Sequence, residues 1–302
     1  MIVILVSIKF FNDISLKNFL SSELKIKSGV NIEKCFKFSL VNFLGMKILL
    51  TNDDGLYSPG LRACHEVLSE FGEVFAVTPV VQKSGVGRSI SILEPIRVSE
   101  ITIDGMKIYA VDGTPTDAVI ISIHEIIGEI PDLTVSGINL GENLSTEAVT
   151  TSGTVGAALE ASTQGSKAIA VSLEMRDIFK FETFFAPADF SNAKKVLKEV
   201  VERIIKHEVP EGVDLFNINV PENWNGRYRF TKLARRLYRT RIDTRFDPRG
   251  RKYYWIDGVE EENADEGTDL HAIRNGFVSI TPISLDMTSR IDFSILERWF
   301  ND

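Results

Sequence analysis

Cysteine is nearly absent from this chain. Cys35 and Cys64 are its whole complement in 302 residues, which excludes a disulfide-stapled scaffold and a thiolate metal site. A reducing cytoplasm is the expected location. Histidine is scarce as well: His65, His124, His207 and His271 are scattered and unpaired with cysteine. Zinc is therefore not expected, and the four read as structural or surface residues. Excess positive charge is also missing. Lys and Arg number 34 against 42 Asp and Glu, a net charge of −8, which argues against a stable nucleic-acid partner held on a broad basic face. Long apolar runs are lacking too. The apolar start Met1–Ile8 has no basic residue before it and no small-residue cleavage pattern after it, and it is far shorter than the ~20 residues needed to span a bilayer. No membrane association is expected.

What remains is an ordinary globular balance, 44% hydrophobic and 25% charged. Residues 1–45 mix Lys, Phe, Ser and Asn without a clean period and read as an N-terminal extension, or as the product of a mis-assigned start; residues 46–302 read as the working domain. From Met46 onward, short apolar runs alternate with helix-like segments. Strands are predicted at 47–51, 73–78, 133–136 and 168–172, and helices at 59–71, 156–164 and 192–207, the last with Val196, Val200, Ile204 and Ile205 near helical spacing. Such alternation predicts a mostly parallel, Rossmann-like sheet with right-handed crossovers, flanked by helices. Further β-like runs at 215–220, 253–256 and 277–282 predict a β-rich C-terminal extension.

The run Lys47-Ile-Leu-Leu-Thr-Asn-Asp-Asp-Gly55 is a strand that stops on two adjacent carboxylates and a glycine. Asn-Asp-Asp-Gly is good turn chemistry in its own right, but in an open α/β sheet ligands bind at the carboxyl ends of strands. Three more segments offer oxygen donors or free amides in comparable places. They are Gln82-Lys-Ser-Gly-Val-Gly87, Ser136-Gly-Ile-Asn-Leu-Gly-Glu-Asn143 and Ser152-Gly-Thr-Val-Gly156, the last opening a helix. A carboxylate pair with a hydroxyl and an amide oxygen suits a hard cation such as Mg²⁺, Mn²⁺ or Ca²⁺. A helix N-terminus is a ready anion site. Metal beside anion cradle points to phosphate chemistry. No Walker sequence, dinucleotide fingerprint or Gly-x-Ser-x-Gly elbow is present.

These motifs resemble those of the SurE survival-protein phosphatases, 5′/3′-nucleotidases. The resemblance runs over residues 46–288: Ile48–Gly55 with Pro59-Gly60, Ser84-Gly85, Val111-Asp-Gly-Thr-Pro-Thr-Asp117, Val135-Ser-Gly-Ile-Asn139, Ser152–Ala158, Asp247–Ile256, Thr268-Asp269 and Ser279–Ser284. It implies a metal site of Asp53, Asp54, Ser84 and Asn139 holding one divalent cation, Mg²⁺ or Mn²⁺. Asp53 and Asp54 would be catalytic, with Asp53 closest to the attacking water and Asp54 bridging or orienting. Gly85, Asn143, Ser152, Gly153 and Thr154 would hold the phosphate. The implied substrate is a nucleoside 5′-monophosphate, with 3′-monophosphates and short polyphosphate as further candidates. One departure stands out: Val80-Val81-Gln82-Lys83 replaces the charged Asp-Arg-Asn-Arg-like run that often precedes the serine in this family.

The stretch Arg227–Lys252 holds eleven Lys and Arg with Tyr228, Phe230, Tyr238 and Phe246 interleaved. It is read as a solvated or inter-subunit β-arm rather than a nucleic-acid surface. The resemblance implies that such an arm builds a homodimer or homotetramer through the C-terminal extension. A competing reading of the whole chain is a nucleotide- or metal-sensing module on the same fold, binding without turnover.

Overall fold

The computed structural model describes residues 45–175 and 188–301; the expectation for residues 1–45 falls, but for its last residue, outside them. The first strand, β1 (Lys47–Thr51), is buried from Ile48 to Thr51. It lies between β2 (Glu73–Pro79) and β5 (Leu133–Leu140), parallel to both. Adding β3 (Val98–Ile103), β4 (Met106–Val111), β6 (Lys167–Leu173), β7 (Leu215–Val220), β8 (Tyr228–Phe230) and β11 (Val278–Ile283) completes a nine-stranded sheet of order β3-β4-β2-β1-β5-β6-β7-β11-β8. The six central strands are parallel; β3 and β11 run against their neighbours β4 and β7. The chain builds leftward from β1 through β2 and then resumes rightward from β5. The switch point therefore falls between β1 and β5, which is where a ligand crevice opens in doubly wound sheets.

Strand alternation sends Ile48 and Leu50 to one face and Leu49 to the other. On the first face pack α1 (Pro59–Leu68) and α5 (Ser191–Lys206), whose Val196, Leu197, Val200, Val201 and Ile204 are buried. Each such side chain contributes about 1.5–3 kcal/mol of burial free energy. On the second face pack α2 (Pro115–Ile121), which runs into a π-helical turn at Ser122–Ile126, and α4 (Gly153–Thr163). Helix α4 is preceded by the short α3 (Ser145–Thr151) and is buried on all sides from Gly153 to Ala161. Its alanines and glycines make that possible: an added Cβ at Gly156 would stand 2.5 Å from the Gly87 carbonyl oxygen.

The predicted elements map onto this frame with informative shifts. Helix α1 ends at Leu68, before the predicted 71, because Gly72 turns the chain under Met46. Helix α4 opens three residues before 156, capped by Ser152. Strands β3 and β4 and helix α2 lie where sequence periodicity gave no element. Helix α2 starts at a capping box, Thr114 accepting from the Asp117 N–H and the Asp117 carboxylate accepting from the Thr114 N–H. That local device accounts for the Thr-Pro-Thr-Asp motif, and Asp117 also receives the Ser91 N–H and hydroxyl. The β-rich extension is a separate antiparallel hairpin of β9 (Tyr238–Phe246) and β10 (Lys252–Glu260). It is followed by α6 (Asp269–Arg274), β11 and the terminal α7 (Phe293–Asn301).

Candidate metal and phosphate site

The turn after β1 is built by Asn52. Its side chain donates to the Gly55 carbonyl at 3.1 Å and accepts the Gly55 N–H at 3.3 Å, and Thr78 at the end of β2 donates its hydroxyl to the same amide oxygen. Asp53 and Asp54 ride on this turn, 4% and 1% exposed. Neither carboxylate meets a lysine or arginine among the described residues. Asp54 receives only the Leu140 N–H, at 3.4 Å. Asp53 accepts the Thr154 hydroxyl, and the backbone amides at Gly153 and Thr154 also favour its charge. Burial nonetheless dominates: it lifts the Asp53 carboxyl above its ordinary range. Burial and, after it, the neighbouring Asp53 charge push Asp54 up to about 7. Two adjacent, buried and unbalanced carboxylates are the chemistry that a bound cation answers.

The other expected donors lie on loops tied to this turn. In the loop after β2, the Lys83 N–H donates to the Asp53 carbonyl at 2.7 Å, and the backbone at Val81 and Gln82 packs against Gly55. Ser84 follows, exposed, its hydroxyl accepting from Gln82 at 3.0 Å. The same loop reaches α3 and α4, where the Gly87 N–H meets the Thr151 carbonyl at 2.7 Å. Asn139 sits at the end of β5, past a register shift between Ser136 and Asn139. Its amide nitrogen donates to the Gly141 carbonyl at 2.6 Å, which leaves the side-chain oxygen available. Among the described residues no group of three or more His, Cys, Asp and Glu stands together as a metal set. This site instead offers two carboxylates and neutral oxygens, a donor set that fits a hard cation.

The helix N-terminus at Ser152–Thr154 faces Asp53. Ser152 caps α4 by accepting the Val155 N–H at 3.1 Å, and Gly153 lets the helix approach, since a Cβ there would stand 2.8 Å from the Asp53 Cβ. Gly85, with φ +77°, has open space around it. Asn143 is buried and its bonds are committed: its amide donates to Ser172 at 2.8 Å, its N–H to Asn219 at 2.8 Å, and its carbonyl accepts from Asn217 and Asn219. Sequence reasoning missed the Thr154–Asp53 bond, the Thr78–Asn52 bond and the Asp269 clamp, in which one buried carboxylate receives the N–H groups of Ser145, Ala234 and Leu270 at 2.7–2.8 Å. Apart from the Leu270 N–H, these bonds join residues at least 26 apart in the chain, so no local pattern announces them.

A cavity of about 650 Å³ lies away from the carboxylate pair, among Thr146, Lys232–Arg236 and Glu261–Thr268.

Comparison with known proteins decides the family. The model of the family described as "Survival protein SurE" matches residues 48–240. The chain belongs to the SurE family. It is 64% identical over 256 residues to a protein named 5′-nucleotidase SurE of Archaeoglobus fulgidus, covering 85% of this chain and 98% of that one. A Methanosarcina acetivorans protein of the same name is 48% identical, with 84% and 97% covered. The crystal structure of the SurE protein from Aquifex aeolicus shares the fold at a TM-score of 0.70 and 35% identity, covering 85% of this chain and all of that one. The mostly parallel sheet with flanking helices is thus a SurE fold with an added antiparallel pair near the C-terminus.

Proposed function

We infer that this chain is a phosphoric monoester hydrolase, a 5′-nucleotidase, whose site is assembled around Asp53 and Asp54. One observation carries the reading: two adjacent carboxylates, buried and without a cationic partner among the described residues, stand at the switch point of the sheet. The relatives named 5′-nucleotidase favour an enzyme over a sensing module on the same fold.

Asp53, Asp54, Ser84 and Asn139 would hold one divalent cation, Mg²⁺ or Mn²⁺ by the hardness of the donors. When bound, it offsets charge on the phosphoryl oxygens and makes water a better nucleophile. The remaining work falls to the chain. Asp53, oriented by the Thr154 hydroxyl and the α4 amides, takes a proton from the attacking water. Asp54, fixed by the Leu140 N–H, bridges and orients. The Gly85 amide and the Ser152 hydroxyl receive the phosphate beside the Gly153–Thr154 turn, whose amides and hydroxyl are held by Asp53, and Asn143 holds the β5–α3 loop from behind. The substrate is a nucleoside 5′-monophosphate; 3′-monophosphates and short polyphosphate are further substrates to test. Residues 46–302 carry this activity without 1–45.

The exposed hairpin presents Tyr254, Trp255 and Ile256, and α7 presents Phe293, Trp299 and Phe300 with no buried residue of its own. Apolar surface of that extent marks an interaction site, here self-association into a homodimer or homotetramer. Among the described residues no helix is long and apolar enough to cross a membrane. Cys64 is buried in the core with its thiol pushed up by burial; the scarcity of cysteine in the sequence supports a reducing cytoplasm.

Phosphate release from AMP tests the reading. Activity should vanish in EDTA and return with Mg²⁺ or Mn²⁺, while the added metal raises the melting temperature of the stripped protein. Binding at 100 times Kd stabilises by about 2.7 kcal/mol. Full turnover in thoroughly metal-free protein, or metal and AMP binding with no phosphate released, would overturn it.

A further inference from the structure

The cavity beyond α3 has a composition that the hydrolytic site does not use. Lys232, Arg235 and Arg236 line it on the strap that follows β8, with Thr146 of α3, Asn263, Asp265 and Thr268 opposite. Among the described residues, none of these three cations forms an ion pair, whereas Arg239, Arg241, Arg245, Arg251 and Arg274 nearby each engage a carboxylate. Glu261, the other acid of the lining, is taken by Arg239 at 3.6 Å. Three cations without an ion pair thus share the lining with Asp265. A second cavity of about 380 Å³ shares Arg236 and adds Glu147, Tyr238, Arg239 and Thr240.

The strap is anchored rather than loose. Asp269 receives the Ala234 N–H at 2.8 Å and the Ser145 N–H at 2.7 Å, and the Thr146 N–H donates to the Ala234 carbonyl at 2.8 Å. Beneath it, Leu144, Ala234, Leu237, Leu270 and Ile273 form a small core of their own. The three cations are therefore held on a fixed backbone around a space within the 300–1,000 Å³ range typical of small-molecule sites. Clustered cations of one sign on a cavity wall attract an anion, most strongly at low salt. Guanidinium pairs match phosphate oxygens in charge and in fork geometry.

We propose that this cavity is a second binding site, separate from the carboxylate pair, for the phosphates of a phosphorylated small molecule of nucleotide size. Helix α3 joins the two sites: its first residues wall the cavity, and its last lead into the Ser152–Thr154 helix start. The phosphates would lie against Lys232, Arg235 and Arg236, and Thr146, Asn263 and Thr268 would meet the remainder.

Calorimetric titration of the full chain in EDTA isolates this site, because without a cation the carboxylate pair repels anions. Inorganic pyrophosphate and ADP are the two probes. Saturable binding of both shows that the anion suffices; binding of ADP alone shows that the nucleoside contributes; either supports the proposal if the double variant Arg235→Gln/Arg236→Gln weakens it at least tenfold. All three cations are exposed, and the variant should keep the parent's circular dichroism and melting temperature. Lys232→Gln provides a second variant with the same expected direction. Absence of saturable binding up to 10 mM of either probe, or binding that the variants leave unchanged, overturns the proposal. The result does not depend on turnover, so it stands or falls apart from the nucleotidase reading.

Discussion

Thr154 gives its hydroxyl hydrogen to Asp53, so the first turn of α4 grips the strand end that follows β1 across 101 residues of sequence. Thr154 is fully buried. Replacing it by valine keeps the shape and removes the donor, which leaves a buried carboxylate short of one partner. The expected cost is about 1–3 kcal/mol of stability and at least tenfold in kcat/KM for AMP, with Thr154→Ser restoring most of both. Unchanged kinetics in Thr154→Val would mean that Asp53 is oriented by the backbone alone.

Gly156 sets two effects against each other. Glycine to alanine inside a helix ordinarily stabilises by about 1 kcal/mol. Here the new Cβ would lie 2.5 Å from the Gly87 carbonyl oxygen and 2.9 Å from the Arg88 nitrogen, both backbone atoms with little freedom to move. Overpacking of that kind costs about 1–3 kcal/mol, so Gly156→Ala should lower the melting temperature. It should also lower activity, because the displaced loop carries Ser84 and Gly85. A stabilised variant would show that the loop yields.

The same residues show how far the sequence could be read. The run Ile48–Gly55 announced a buried strand ending in carboxylates because periodicity and turn chemistry are local signals. That Asp53 and Asp54 lack a counter-charge depended on what packs over them from β5 and α4, and no spacing encodes it. The segment Ser152–Gly156 was legible as a helix opening, yet the cap by Ser152 and the direction of that start, onto Asp53 itself, were not. Strand β3 gives a weak signal because Val98–Ile103 is largely exposed at the sheet edge; β4 is mostly buried, and the alternation of Met106, Ile108 and Ala110 was a local signal that could have found it.

The hairpin and α7 give a test of assembly. Trp255 and Ile256 are 58% and 83% exposed on β10. Trp255→Asp/Ile256→Asp should shift the sedimentation coefficient toward the monomer while the melting curve of the sheet domain stays close to that of the parent. An unchanged sedimentation profile would place the subunit contact elsewhere.

Met46 belongs to the folded domain: it is 9% exposed, and its carbonyl accepts the Glu73 N–H at 2.9 Å. No candidate site residue lies before it. A chain beginning at Met46 should therefore keep its AMP phosphatase activity and its stability within about 1 kcal/mol, a meaningful margin against a typical total of 5–15 kcal/mol. Loss of either would assign residues 1–45 a part in the domain.

The carboxylate pair predicts an unusual response to pH. Asp54 ionises at about 7 in the folded protein against 3.8 for a free aspartate, and Asp53 is shifted in the same direction. Between those values the folded chain holds a proton that the unfolded chain has lost, so the slope of unfolding free energy with pH is negative there. Metal-free protein should become more stable as the pH falls from 8 through 7 towards 5, with the gain from Asp54 complete near pH 3.8. Asp247, held low chiefly by the Arg251 backbone N–H, and Asp257, held low by the Arg241 side chain, oppose this only as the pH drops through 3.8 and below. Asp53→Asn removes one of the two charges: it should flatten the dependence and leave the metal-free melting temperature at pH 8 equal to or above that of the parent. The same substitution should cost at least about 100-fold in kcat/KM for AMP, about 2.7 kcal/mol of transition-state stabilisation. Saturating Mg²⁺ should abolish the acid gain, since the cation then stabilises the charged pair that protonation would otherwise relieve. Melting curves of the stripped protein at pH 8, 7, 6 and 5 decide it, and a stability that falls steadily with acid would show that burial does not lift the two carboxyls.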